Sequence, residues 1–157
     1  MIDAGLLAAV AEALSVQPRE SGGAALVFVT GSSPPAVALL STGDVFLTGD
    51  RIKVGVHATS STVSRFGGSF SLAVPLKRVV ARVEVIDASA SVQGDLARIE
   101  GRIATIRPTS EPPWIVNMTF EPRPATDRRI PIYLEYWRSV RDWLSGKAPE
   151  PPKPPHL

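Results

Sequence analysis

The chain interrupts itself at short intervals between residues 26 and 75, and this constrains its fold more than any other feature. Ala24-Ala25-Leu26-Val27-Phe28-Val29 is a short apolar run, followed by the turn residues Gly31-Ser32-Ser33-Pro34-Pro35. Ala36 to Leu40 is a second apolar run. Thr42-Gly43-Asp44 and Thr48-Gly49-Asp50 then bracket the short Val45-Phe46-Leu47. Segments this short, bounded by Gly, Pro, Asp and Ser, suit strands, and an amphipathic helix needs longer uninterrupted stretches. The first run suits a strand buried on both faces. So many strands in quick succession point to a β-meander or barrel.

The pattern continues with period-two alternation. Arg51-Ile52-Lys53-Val54-Gly55-Val56-His57 alternates polar and apolar residues, and Ser69-Phe70-Ser71-Leu72-Ala73-Val74 does so again until Pro75. Val79, Ala81, Val83 and Val85 share one face of a further strand, with Arg82 and Glu84 on the other. Residues 89 to 94 are predicted to turn the chain. Ala97, Ile99, Gly101, Ile103 and Thr105 then alternate with Arg98, Glu100, Arg102 and Ala104. Facing rows of mixed charge pair across such a hairpin at about 0.2–1 kcal/mol each, and read as a solvated sheet face. After a loop at 108–113, Trp114, Val116, Met118 and Phe120 predict a last strand with Asn117 and Thr119 opposite, ended by Pro122 and Pro124.

Helices are expected only at the two ends. Asp3 is a good N-cap for residues 4–15, where Leu6, Leu7, Val10 and Leu14 fall at helical spacing before Pro18. A final helix is expected over Ile132–Ser145, with Leu134, Trp137, Val140 or Arg141, and Leu144 as its buried stripe. Gly146 would stop it, and Lys147 suits its C-terminal end. The expected organisation is one domain over residues 1–147 and a disordered proline-rich tail over 148–157, which holds five of the 15 prolines.

Composition narrows the function classes. Lys and Arg exceed Asp and Glu by only 17 to 15, and no basic stripe of the kind nucleic-acid binding requires is present. With no cysteine, disulfides and thiolate metal sites are excluded, and two histidines, His57 and His156, do not make a metal centre. Asp3, Glu12 and Pro18-Arg19-Glu20 break the N-terminal apolar residues, and no apolar run approaches the roughly 20 residues of a membrane span. The expectation is a cytoplasmic protein without nucleic-acid or membrane partners.

The chemistry centres on residues 51 to 75. Between the two alternating strands, Ala58-Thr59-Ser60-Ser61-Thr62 offers four hydroxyls in a row, followed by Val63-Ser64-Arg65-Phe66 and Gly67-Gly68. A hydroxyl cluster opening a short helical turn leaves N–H groups pointing outward, which makes an anion cradle with Arg51, Lys53 and Arg65 as sources of charge. The same residues also read as an N-cap and turn beside a solvated face. His57, at the strand end, reads as a donor to a bound ligand or as an exposed strand-end histidine. No Gly-x-Ser-x-Gly elbow accompanies the Ser–His proximity, and Gly67-Gly68 forms no dinucleotide fingerprint. No phosphate-binding Gly-Lys-Ser/Thr loop is present. Asp44, Asp50 and Asp87 fall at turns and a strand end. Trp114 and Trp137 could stack on a planar ligand, and both also lie on apolar stripes. Catalytic residues are not identified from the sequence.

Taken together, the order of elements resembles the flavin-binding split barrel of the pyridoxamine 5′-phosphate oxidase-like family. The segment that carries the resemblance runs from Pro35-Ala36-Val37-Ala38-Leu39-Leu40-Ser41 through Arg51 to Pro75. The resemblance implies a mainly β, Greek-key-like split barrel with N- and C-terminal helices, a homodimer, and flavin mononucleotide (FMN) as cofactor. Carried over by position, Thr59, Ser60, Ser61 and Thr62 would hold the phosphate. Arg51 or Lys53 would approach the phosphate or ring edge, with His57 and Arg65 as further contacts. The implied function is a flavin-dependent oxidoreductase acting on a small molecule. Members commonly carry a cation on the strand before the turn and in the turn itself, whereas Val37–Ser41 and Ser61-Thr62-Val63 have none. The alternative is therefore a non-catalytic protein holding a flavin, a deazaflavin or another planar ligand, or one with a degenerate cofactor site. A third reading makes Pro149–Pro155 a docking segment for an SH3-like groove.

Overall fold

The computed structural model describes residues 2–15, 26–76, 79–109 and 129–155. The expected strand at Trp114–Phe120, Ala24-Ala25 at the start of the first apolar run, and His156 lie outside the described residues. The elements are α1 (Ala4–Ser15), β1 (Leu26–Thr30), β2 (Val37–Leu40), a 3₁₀ turn (Thr42–Asp44), β3 (Val45–Thr48) and β4 (Arg51–His57). They continue with α2 (Ser61–Ser64), β5 (Phe70–Pro75), β6 (Val80–Gln93), β7 (Leu96–Thr109) and α3 (Arg129–Leu144). The protein is mainly β with flanking helices, as expected.

Seven antiparallel strands form one sheet in the order β2-β1-β5-β6-β7-β4-β3. β5, β6 and β7 are sequential neighbours. The hairpins β1–β2 and β3–β4 attach to either side of them through the non-sequential pairs β1–β5 and β4–β7. Alternation decides which face is inside. Phe28, Ile52, Val54, Val56, Phe70, Leu72, Val74, Ala81, Val83, Val85, Ala97 and Ile99 all face one core, which Val10 and Leu14 of α1 cover. Phe28 and Phe70 stack there at 4.7 Å between ring centroids. The α1 start is as read from the sequence: Asp3 Oδ1 accepts from Leu6 N at 3.0 Å.

The β6–β7 hairpin departs from its sequence reading in two ways. Residues 89–93 do not turn. β6 runs to Gln93, and the turn is the two-residue Gly94–Asp95, with Gly94 at φ 61° as such tight turns demand. Ala88-Ser89-Ala90-Ser91 has weak strand propensity, but pairing with β7 overrides it. The alternation in β7 also slips. Val85 pairs with Ile103 and Glu84 with Thr105, so Ala104 is an extra residue and Ile106, not Thr105, returns to the core. A second bulge, between Ile86 and Ser89, sets Asp87 at φ 52° and directs its carboxylate to Arg102 Nη2 at 3.0 Å.

α3 begins three residues before the expected start and packs on the outer face of β4 and β7. Val140, Trp143 and Leu144 are buried with Leu96, and Trp143, absent from the predicted stripe, is only 2% exposed. Gly55 makes room for this crossing, because a Cβ there would stand 3.1 Å from Val140 Cγ1. Gly43 plays the same part for the 3₁₀ turn, where an added Cβ would collide with the Cβ and backbone of Trp137. After the cap at Gly146 (φ 87°), the segment expected as a tail meets the hairpin tip. Gln93 Nε2 donates to Pro149 O at 3.1 Å, while Gln93 Oε1 accepts from Trp143 Nε1 at 3.4 Å. No helix among the described residues is long and apolar enough to cross a membrane.

Candidate functional site: the hydroxyl turn after β4

β4 delivers His57 to its exposed end, opposite Leu96, and Ala58 N donates to Asp95 O at 2.9 Å, which ties the turn to the hairpin tip. Ser60 is the N-cap of α2 in an extended conformation (φ −64°, ψ 144°). Its Oγ accepts from Thr62 N at 3.2 Å and lies 2.7 Å from Thr62 Oγ1. Thr62 is fully buried, and Val63 and Phe66 anchor the turn against the core. Thr62 and, in part, Ser60 thus spend their hydroxyls inside the turn.

The outward groups are different ones. Thr59, Ser61, Ser64 and Arg65 are exposed. Ser60 N donates to His57 O, Val63 N to Ser60 O and Arg65 N to Ser61 O, whereas the N–H groups of Thr59 and Ser61 find no acceptor among the described residues. Two exposed hydroxyls and two open N–H groups thus lie at the start of this turn, with His57 at the end of the strand before it and the exposed Arg65 at the end of the turn. An oxyanion matches that set of donors.

The structure does not bring Arg51 and Lys53 to this corner. Both lie on the outer face of β4, and Arg51 is six residues from His57, roughly 20 Å at about 3.3 Å per residue. Lys53 is four residues away and faces Glu100 at 4.0 Å. α3 crosses that face at Gly55, between Lys53 and His57. Arg51 stands directly opposite Arg102 on β7.

A second cluster was not singled out from the sequence. Asp44 closes a capping box in the 3₁₀ turn: its Oδ2 accepts from Ser41 N at 3.0 Å and from Ser41 Oγ at 3.2 Å. Burial pushes its carboxyl up to about 6, against the opposing pull of the Ser41 hydrogen bonds and the charges of His57 and Arg141. Burial, with the neighbouring Asp44, likewise pushes the Tyr136 phenol up to about 12. Arg141 reaches back from α3, its Nη2 donating to Leu14 O at 2.8 Å and Thr42 O at 2.7 Å, and burial lowers its pKa. Ser41-Thr42-Gly43-Asp44 has the Ser-x-x-acid spacing of a capping box, which is the signal that could have found this turn. Among the described residues, no group of three or more His, Asp or Glu is placed to hold a metal.

No family model matches the chain, and no curated protein sequence matches it. Solved structures to which it is similar include an NADH:FAD oxidoreductase of Streptomyces globisporus C-1027. That match has 12% identity and a TM-score of 0.46, and covers 56% of this chain and 76% of that one. The flavin reductase component of a bacterial two-component tryptophan halogenase shows 14% identity, 68% and 88% coverage, and a TM-score of 0.45. An FMN-bound protein of Methanosarcina mazei shows 14% identity, 84% and 81% coverage, and a TM-score of 0.44. Likeness at this level leaves function to be argued from the site.

Proposed function

We propose that the protein is a cytoplasmic FMN-binding split barrel that works as a homodimeric, flavin-dependent oxidoreductase on a small molecule. The observation that carries the reading is the exposed turn of Thr59 and Ser61 with their open N–H groups, flanked by the exposed His57 and Arg65. Its donor chemistry fits a flavin phosphate. Thr59 and Ser61 would hold the phosphate by hydroxyl and N–H, Arg65 would balance its charge, and His57 would donate from the strand end. Ser60 and Thr62 would position the turn without touching the ligand. The flavin, when bound, supplies the redox chemistry, and the protein supplies position and electrostatics.

Dimerisation is supported by the outer face of β2, β1 and β5. Val37 and Leu39 are 45% and 44% exposed beside Val29, Val27 and Ala73, and Arg82 and Glu84 lie at the margin of this apolar patch. One observation favours the non-catalytic alternative, namely that Arg51 and Lys53 stand away from the turn and leave Arg65 to balance a dianion.

Titrating the purified protein with FMN and following the flavin spectrum tests the reading. Thr59→Ala with Ser61→Ala is expected to weaken binding about tenfold or more while leaving the apoprotein melting temperature unchanged. Unchanged affinity in the double variant would place the site elsewhere, and a protein that takes up no flavin would remove the flavin reading. NADH- or NADPH-dependent flavin reduction then separates an oxidoreductase from a simple holder.

A further inference from the structure

Five of the eight residues from Ala148 to Pro155 are prolines, and from Glu150 onward their burial follows a period of three. Glu150 and Lys153 are exposed, whereas Pro151, Pro152, Pro154 and Pro155 are half-buried. A polyproline II helix repeats every three residues, so one edge of this segment meets solvent and the other two are turned toward the protein. Proline suits a segment that packs without a sheet partner. It has no N–H to satisfy, and its fixed φ lowers the entropy lost on docking.

The neighbours aim and hold the segment. At the end of α3, Lys147 N donates to Asp142 O at 2.9 Å and Gly146 N to Trp143 O at 3.1 Å, a pair of bonds that fixes the direction in which the chain leaves the helix. Ala148 then packs on the cluster of Leu96, Val140, Trp143 and Leu144. Gln93, the last residue of β6, uses both ends of its amide, accepting from Trp143 Nε1 and donating to Pro149 O. Pro151 Cγ lies 3.8 Å from where a Cβ on Gly94 would stand. The segment thus rests on the Gly94–Asp95 tip. That tip also holds the hydroxyl turn, because Asp95 O accepts from Ala58 N and Thr59 follows directly.

We propose that residues 148–155 are a strap that fixes the β6–β7 tip and, through Asp95 and Ala58, orders the turn at Thr59–Thr62. The docked and released strap are the two states, and the turn is set for a ligand only in the first. The loss of flavin affinity on release rests on the flavin reading and names what regulates that site; the contacts that make the strap stand without it.

Amide hydrogen exchange by NMR on the flavin-free, full-length protein tests the strap. Gln93→Glu keeps an acceptor for Trp143 Nε1 and removes the donor to Pro149 O, so exchange of the Ala58 amide should rise about fivefold. Pro151→Gly with Pro152→Gly alters no residue of the hairpin and should raise it about threefold or more. Leu72, fully buried in the central strand β5, should exchange as in the parent in both variants. Unchanged Ala58 exchange in the proline variant, or acceleration of Ala58 and Leu72 together, would overturn the proposal. FMN affinity should fall about threefold or more in both variants. A turn that loosens with no loss of FMN affinity keeps the strap and removes the turn as the flavin site.

Discussion

Gly101→Ala is the substitution that most directly tests how the long hairpin is built. Gly101 faces the bulge between Ile86 and Ser89, and a Cβ added there would lie 2.7 Å from Val85 Cγ1, 2.8 Å from Ala88 Cβ and 2.8 Å from Ile86 O. None of these can step aside easily. Val85 is in the core, and the other two belong to the bulge itself. Overpacking of this kind costs about 1–3 kcal/mol, while alanine returns about 0.5–1 kcal/mol by narrowing the unfolded ensemble. The net loss is about 1–2 kcal/mol, or roughly 2–8 °C in Tm for a chain of this size. Gly55→Ala is the control, since its Cβ meets one side-chain methyl, Val140 Cγ1, at 3.1 Å and the Leu144 methyls at an ordinary 3.9 Å. It should stay within about 1 kcal/mol of the parent. Urea unfolding followed by circular dichroism gives both midpoints, and an unchanged slope shows that the native and unfolded ensembles are comparable. If Gly101→Ala proves as stable as Gly55→Ala, the bulge does not require glycine and the close approach is not a constraint.

Two further outcomes follow from the description. Asp44 has a folded-state pKa of about 6 against 3.8 unfolded, so the native state holds its proton more tightly. Its destabilising effect is absent below about pH 3.8, grows as pH rises, and is complete above about pH 6, where it amounts to at most about 3 kcal/mol. The carboxyl keeps partial solvent contact, which makes that figure an upper bound. Asp44→Asn keeps an oxygen for Ser41 N, so the stability of the parent relative to the variant should fall between pH 4 and pH 7, and parallel pH profiles would dismiss the assignment. Leu39→Glu places a charge in the apolar patch of β2 and should shift a dimer toward monomer in light scattering while leaving the fold intact; a parent protein that is monomeric at working concentration would refute the dimer directly.

What could be read from the sequence was what local physics determines. Period-two alternation assigned Ile52, Val54 and Val56 to the core and Arg51, Lys53 and His57 to the outer face, because a strand offers only two directions. Turn chemistry marked the 3₁₀ turn and the N-cap at Ser60. The alternation misled wherever a bulge re-phased it. Nothing in Ile103-Ala104-Thr105-Ile106 says that Ala104 will be skipped, because the extra residue is defined by its partners on β6.

The candidate site shows the same division between local and long-range information. Four hydroxyls in a row marked the turn, but a one-dimensional pattern does not tell a hydroxyl that builds a turn from one that faces solvent. Ser60 and Thr62 bond to each other, and Thr59 and Ser61 are the two left exposed. Arg51 looked close to the turn because a strand of seven residues is short in sequence, although in space it is roughly 20 Å long. Arg141 had the opposite problem. Its acceptors on Leu14 and Thr42 are 127 and 99 residues away, and carbonyl groups carry no residue identity that a sequence could reveal. Arg51 and Lys53, near the turn in sequence, thus lie along β4 away from it, and a cation that joins α1, the 3₁₀ turn and α3 was read as one option for a helix stripe. Sequence proximity is a good guide to backbone shape and a poor guide to electrostatic partnership, because charge acts through space and a strand or helix moves it many ångströms from its neighbours in the chain.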